Sequence, residues 1–157
     1  MEEVFMKILD QHQAILHKLC GLYRDTEADR EDLFQEMVYH LWKAYPSFQG
    51  QAKISTWIYR IALNTALASF RKKRPSLLFP AELPQREVNL PEERDEQVGK
   101  LWNAIKKLKE IDRAIVSLYL DDLSYEQIAQ IVGLSATNVG ARLHRIKQKL
   151  KTLLSEK

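Results

Sequence analysis

Residues 124–150 read SYEQIAQIVGLSATNVGARLHRIKQKL, and this stretch decides the fold. Ser124 and Gln127 have the spacing of a capping box, in which each side chain satisfies an otherwise orphaned backbone N–H at the start of a helix. The short helix opened there carries Ile128, Ala129 and Ile131 and must end at Gly133, because only glycine enters the left-handed region without penalty. Ser135 caps a second helix with Val139, Leu143, Ile146 and Leu150 at helical spacing. Ala129, Gly133 and Val139 fall where a helix-turn-helix needs a small crossing residue, a left-handed turn residue and an apolar anchor. With Val139, Leu143 and Ile146 facing inward, Thr137, Ala141, His144 and Arg145 project outward. The second helix would then enter the major groove, where Arg145 has the fork geometry to read guanine. The competing reading is an antiparallel helix pair whose basic face is merely solvated.

Upstream the pattern stays helical. Val98, Leu101, Trp102, Ile105 and Leu108, then Ile111, Ala114, Ile115 and Leu118, precede the helix-turn-helix. At the other end, residues 4–22 form an amphipathic pattern on Phe5, Ile8, Ile15, Leu19 and Leu22. A polar stretch from Arg24 to Glu31 leads into a second helix with Leu33, Phe34, Met37, Val38, Leu41, Trp42 and Tyr45, ended by Pro46. Ser47–Lys53 reads as a loop with Gly50 at its tip, and Ser55 as the cap of a third helix through Trp57, Ile58, Ile61, Ala62 and Thr65 to Arg74. Pro75, Pro80, Pro84 and Pro91 interrupt residues 75–91, which read as a linker. At ~3.3 Å per residue it reaches at most about 55 Å. The expected architecture is all-α: two small helical domains, 1–74 and 92–157, joined by a flexible linker at 75–91.

Composition narrows the function. The chain has 157 residues and one cysteine, Cys20, which excludes a disulfide framework and a cysteine-based metal site and fits a reducing cytosol. No apolar run approaches the roughly 20 residues of a membrane span, and the first residues carry acids where a signal peptide wants bases. A cytoplasmic protein without membrane insertion is expected. No GxGxxG, phosphate-binding Gly-Lys loop or nucleophile elbow is present, and His12, His17, His40 and His144 are scattered. Neither an enzyme, a cofactor nor a bound metal is expected.

The net charge of +3 conceals a segregated pattern. Residues 1–36 are net acidic, 37–81 hold seven bases and no acid, 82–99 are acidic again, and no acid lies between Glu126 and Glu156. Two basic segments separated by an acidic one point to two contacts with a polyanion. In the first of them Phe48, Trp57, Tyr59 and Phe70 are interleaved with Lys53, Arg60 and Arg71–Arg74, the mixture that stacks on splayed bases while neutralising phosphates. Asn64 on the same helix offers an amide to a base edge, or else caps or braces that helix. Trp57 and Trp42, lying on apolar stripes, are expected in the core, and Arg71–Arg74 also suits a solvated helix end.

With these residues in view, EDLFQEMVYHLWKAYPSFQGQAKISTWIYRIALNTALASFRKKR resembles region 2 of the extracytoplasmic-function sigma factors of bacterial RNA polymerase. LYLDDLSYEQIAQIVGLSATNVGARLHRIKQKL resembles their region 4, and together the likeness covers roughly residues 5–154. It implies promoter-specific transcription initiation, with core RNA polymerase and promoter DNA as partners, double-stranded at the −35 element and single-stranded at the −10 element. An anti-sigma factor is a further candidate partner. By the resemblance Asp32, Leu33, Gln35, Glu36 and Trp42 lie on the polymerase-docking helix, with Asp32, Gln35 and Glu36 as the contacts and Leu33 and Trp42 equally suited to the core. Phe48, Gln49, Gly50 and Lys53 belong to a loop that captures a flipped −10 base, assisted by Arg60, Asn64, Arg71 and Lys72. The −35 set is Thr137, Asn138, Ala141, Arg142, His144, Arg145 and Lys147. The chain departs from the family pattern at Gly140, where many relatives carry Lys or Arg, at Thr137-Asn138 in place of Gly-Thr, at Ile54 in place of an aromatic, and at Gln49 in place of a base.

Two other readings of the residues compete. A two-domain repressor or activator would explain the C-terminal helices but not the acid-free aromatic segment at 48–74. The other is an interaction protein that binds a sigma factor. Whether the protein starts transcription with core polymerase separates all three.

Overall fold

The computed structural model describes residues 2–50, 52–72 and 96–155, and among them every regular element is helical. The chain divides into two compact units, residues 1–88 and 89–157. The expected linker at 75–91 lies outside the described residues, as do Lys73 and Arg74.

Unit 1 is a three-helix bundle of α1 (Glu2–Tyr23), α2 (Glu27–Ala44) and α3 (Ile54–Lys72), each packed on the other two. Leu16, Leu19 and Leu22 from α1, Leu33, Met37 and Leu41 from α2, and Ile58, Ala62, Leu63 and Ala66 from α3 fill its core. The periodic apolar residues read from the sequence are thus the ones that meet. Within this core the Cys20 thiol lies 3.9 Å from the Met37 sulfur, and burial pushes its pKa up to about 11. A thiol so rarely ionised is a packing group, not a nucleophile.

Local details correct the sequence reading at three points. The polar stretch from Arg24 to Glu31, read as leading into the second helix, is already helix from Glu27 on, and Arg24 is buried and donates to the Tyr23 carbonyl at 2.7 Å. The start of α2 is fixed by Thr26, whose hydroxyl accepts from the Asp29 N–H at 3.1 Å. Ser55 does not cap α3: the helix begins at Ile54, and the Lys53 carbonyl already accepts from the Trp57 N–H at 3.1 Å. Pro46 ends α2 as expected and initiates a 3-10 turn at Tyr45–Ser47.

Unit 2 holds α4 (Glu96–Ile105), α5 (Glu110–Leu120), α6 (Tyr125–Val132) and α7 (Ala136–Ser155). Helix α7 is its spine, since α4, α5 and α6 all pack on it. Ile105, Ala114, Ile115, Leu118, Ile128, Ile131, Val139, Leu143 and Ile146 form the core. Deleting most of one such leucine costs about 2–5 kcal/mol, a large share of what a small domain has.

Candidate nucleic-acid interface

The helix-turn-helix takes the geometry its sequence dictates. The Gln127 N–H donates to the Ser124 hydroxyl at 3.1 Å, and the Ser124 N–H donates to the Gln127 side-chain oxygen at 2.9 Å, closing the capping box reciprocally. Gly133 adopts φ +79° and its N–H reaches the Ala129 carbonyl at 2.8 Å. Two residues on, the Ser135 hydroxyl accepts from the Asn138 N–H at 3.1 Å and starts α7. Val139, Leu143, Ile146 and Leu150 are buried, while Thr137, Asn138, Ala141, His144, Arg145 and Lys147 are exposed.

The cations of α7 are not equivalent. Arg142 turns toward α5 and donates to the Asp112 carboxylate at 2.8 Å, half-buried. Lys147 donates to the Tyr119 hydroxyl at 3.1 Å, with its ammonium 4.5 Å from the centre of that ring. The hydrogen bond to Tyr119 holds the Lys147 ammonium above the usual lysine range. His144 and Arg145, by contrast, have no ion pair or side-chain hydrogen bond among the described residues.

In unit 1 the loop between the 3-10 turn and α3 is fastened by aromatics. Phe48 rests on Trp57 at 4.9 Å between ring centres, and Trp57 in turn meets Tyr45 at 6.2 Å. Tyr45 contacts Phe5 at 5.4 Å, and Phe5 contacts Trp42 at 5.0 Å. Trp57 and Phe48 are both half-buried, so each keeps surface open to a ligand. Gly50 adopts φ +76°, the left-handed conformation that a loop tip of this kind demands. Gln49 and Lys53 are exposed beside it; Gln51 lies outside the described residues. Along α3 the exposed Arg60 and Asn64, four residues apart, share one helix face, and the exposed Lys53 immediately precedes the helix. The Asn64 amide has no hydrogen-bond partner among the described residues and so does not brace the helix. The side chains of Phe70, Arg71 and Lys72 lie outside the described residues.

On α2, Asp32, Gln35 and Glu36 are exposed, and Leu33 is core. Trp42 is not core: 42% of it is exposed, with its ring packed on Phe5 of α1 at 5.0 Å between ring centres and its outer side open. The sequence reading missed Tyr39, 54% exposed, which follows Asp32 and Glu36 along the same face and has the Lys43 ammonium 5.5 Å from its ring. Its spacing of three and seven from those acids was the signal.

Two protein-family models match the chain, sigma-70 region 2 over residues 8–75 and sigma-70 region 4 over residues 99–150. The ECF RNA polymerase sigma factor SigW of Bacillus subtilis is 28% identical over 170 aligned residues, covering 99% of this chain and 91% of SigW. The RNA polymerase sigma factor YlaC of the same organism is 30% identical over 148, covering 89% of this chain and 85% of YlaC. The chain belongs to the ECF family of RNA polymerase sigma factors. The fold of this sigma factor is similar to that of the sigma factor RpoE from Bartonella quintana, solved in complex with the anti-sigma factor NepR (TM-score 0.79, 20% identity, 98% of each chain covered). Its role is the family's, promoter-directed initiation of transcription. Among its described residues no helix is long and apolar enough to cross a membrane, and no three His, Cys, Asp or Glu side chains are grouped to hold a metal ion.

The sigma factor's departure at Gly140 has a structural counterpart. A Cβ there would lie 3.2 Å from Cε2 of Tyr125, whose ring covers the bare backbone of α7. Tyr125, Tyr119 and Asp112 are the residues around the α7 face that sequence reasoning missed. All three come from helices other than α7, and no spacing within one helix announces them.

Proposed function

We propose that this sigma factor binds core RNA polymerase through the exposed face of α2, melts the −10 element with the loop and helix at 48–72, and reads the −35 element with α7. In domain terms, 1–74 serves as region 2, 75–91 as a linker and 92–157 as region 4. The observation that carries the reading is the acid-free outer face of α7, with Thr137, Asn138, Ala141, His144 and Arg145 all exposed and His144 and Arg145 without partners among the described residues. A helix with its apolar stripe buried and a face of this chemistry outward fits the major groove. Arg142 and Lys147 act by bracing α7 on α5, and Lys147 keeps enough exposure to meet a phosphate from there. In unit 1, Lys53 and Arg60 neutralise backbone phosphates while Phe48, supported by Trp57, stacks on an unpaired base and Asn64 bonds its edge. Asp32, Gln35 and Glu36 dock polymerase, with Tyr39 on the same face. Because RpoE was solved with an anti-sigma factor, a protein inhibitor of that class is a further partner in this reading.

The test is transcription in vitro from a promoter mapped by sequencing transcripts after overexpression. Core polymerase with this protein should initiate there, and substitutions in either the −35 or the −10 element should abolish initiation. The free protein should bind the same DNA weakly, since each unit offers few phosphate contacts and polymerase supplies their effective concentration. Nanomolar, sequence-specific binding by the free protein at physiological salt would favour a repressor instead.

A further inference from the structure

Lys147 lies one helical turn beyond both Leu143, which is buried, and His144, which is exposed. That places it on a border of α7, between the core and the outer face assigned to the −35 element. Such a border has a definite neighbour when the helix is seated on DNA. The major groove is about 12 Å wide and a helix with its side chains about 10–12 Å across, so the outer face meets base edges while the flanks meet the sugar–phosphate backbone.

On this border two groups from different helices meet. The Lys147 ammonium donates to the Tyr119 hydroxyl at 3.1 Å and lies 4.5 Å from the centre of the Tyr119 ring. The phenolic oxygen is the acceptor of that bond, and its own proton has no acceptor among the described residues. The ammonium keeps two further N–H groups, and no carboxylate pairs with it among the described residues. Lys147 is exposed and Tyr119 half-buried, so both donors are within reach of a ligand. Their separation of 3.1 Å lets each serve one of the two unbridged oxygens of a single phosphodiester, and the ammonium matches its charge. Because Tyr119 already holds the lysine, less side-chain entropy is lost when the phosphate arrives. We propose that Tyr119 and Lys147 form a clamp for one backbone phosphate flanking the −35 element, with Tyr119 of α5 donating its hydroxyl proton to one oxygen and Lys147 an N–H to the other.

The inference rests on the assignment of α7 to the −35 element, and the experiment keeps the two apart. Holoenzyme assembled from core polymerase and this protein is bound to promoter DNA at several salt concentrations. Tyr119→Phe keeps the ring and removes only the hydroxyl. It should weaken binding about ten-fold, the low end for a hydrogen bond to a charged group, and equally on promoters that differ in −35 bases, because a phosphate carries no sequence. Its salt dependence should match the wild type, since no charge is lost. Lys147→Gln should instead lower the slope of log affinity against log salt by about 0.9, the release of one counterion. Phosphates flanking the −35 element are then replaced singly by neutral methylphosphonates. At one of them the wild type and Tyr119→Phe should bind with nearly equal affinity. If scrambling the −35 element leaves binding unchanged, the assignment of α7 fails and the inference with it. If scrambling weakens binding but Tyr119→Phe binds as the wild type does, the clamp alone is refuted. A Tyr119→Phe deficit that persists on every methylphosphonate promoter would also refute it, because the hydroxyl would then act by bracing α7 and not on a phosphate.

Discussion

In unit 2 two cations of α7 are held from behind, Arg142 by Asp112 at 2.8 Å and Lys147 by Tyr119 at 3.1 Å, while His144 and Arg145 face outward with no partner among the described residues. In unit 1 the cations Lys53 and Arg60 have no such partner among the described residues, and it is the aromatics that are tied, Phe48 to Trp57 and Trp57 to Tyr45. The difference matches the two tasks proposed for them. Reading an intact duplex needs a rigid helix whose cations are sorted into structural and reading groups. Holding an opened strand needs a firm aromatic platform and mobile cations that follow the backbone. The acid-free stretch at 37–81 helps keep those cations unpaired.

The largest effect is expected at strand opening. Replacing Phe48 and Lys53 together by alanine should leave polymerase binding and the closed complex intact but block melting of the −10 region, since unstacking a base costs a few kcal/mol that the loop must offset. Permanganate reactivity of unpaired thymines reports it directly, and wild-type reactivity in the double variant would place strand opening elsewhere.

The sorting of the α7 cations is sharpened by two single substitutions. Arg145→Ala should cost about 1–3 kcal/mol at one −35 base pair and little at the rest, as for a bidentate guanine contact. Arg142→Ala should instead lower the melting temperature slightly, by the equivalent of about 0.5–1 kcal/mol for a half-exposed ion pair, and weaken all −35 sequences alike. Competition binding of holoenzyme to a panel of single-base variants distinguishes the two patterns. A uniform loss in Arg145→Ala would make it a phosphate contact, and a base-specific loss in Arg142→Ala would free it from its structural role.

The smallest expected change in stability lies on α2. Substituting Gln35 and Glu36 together by alanine should alter stability by less than about 0.5 kcal/mol, since both are exposed and off the Leu33/Met37/Leu41 stripe. Retention of core polymerase in a pull-down should nonetheless fall, and unimpaired retention by the folded variant would move the docking face.

Much of this molecule was legible before any coordinates because its signals are local. The capping box at Ser124 and Gln127, the left-handed Gly133, the Ser135 cap and the Pro46 stop each depend on backbone groups within a few residues. Helical periodicity likewise named most of the core correctly. The errors lay where neighbours along the chain compete weakly. Ser55 lost the cap position to Lys53 by two residues, a shift within the ordinary fraying of helix ends. Trp42 sits on an apolar stripe yet at its exposed rim, and periodicity assigns a face without saying how deeply each residue on it is buried.

The sequence by itself determined the helices, their caps, the Gly133 turn and the two basic segments, because each follows from bonds and spacings of three or four residues or from charge counted along the chain. Only the tertiary structure decided which cations are tied and which are available. Arg142 meets Asp112 across 30 residues and Lys147 meets Tyr119 across 28, while Tyr125 on α6 settles on Gly140 of α7. Such pairs exist only once α5 and α6 have packed against α7, and the geometry of that packing comes from the whole core of unit 2 rather than from any one helix.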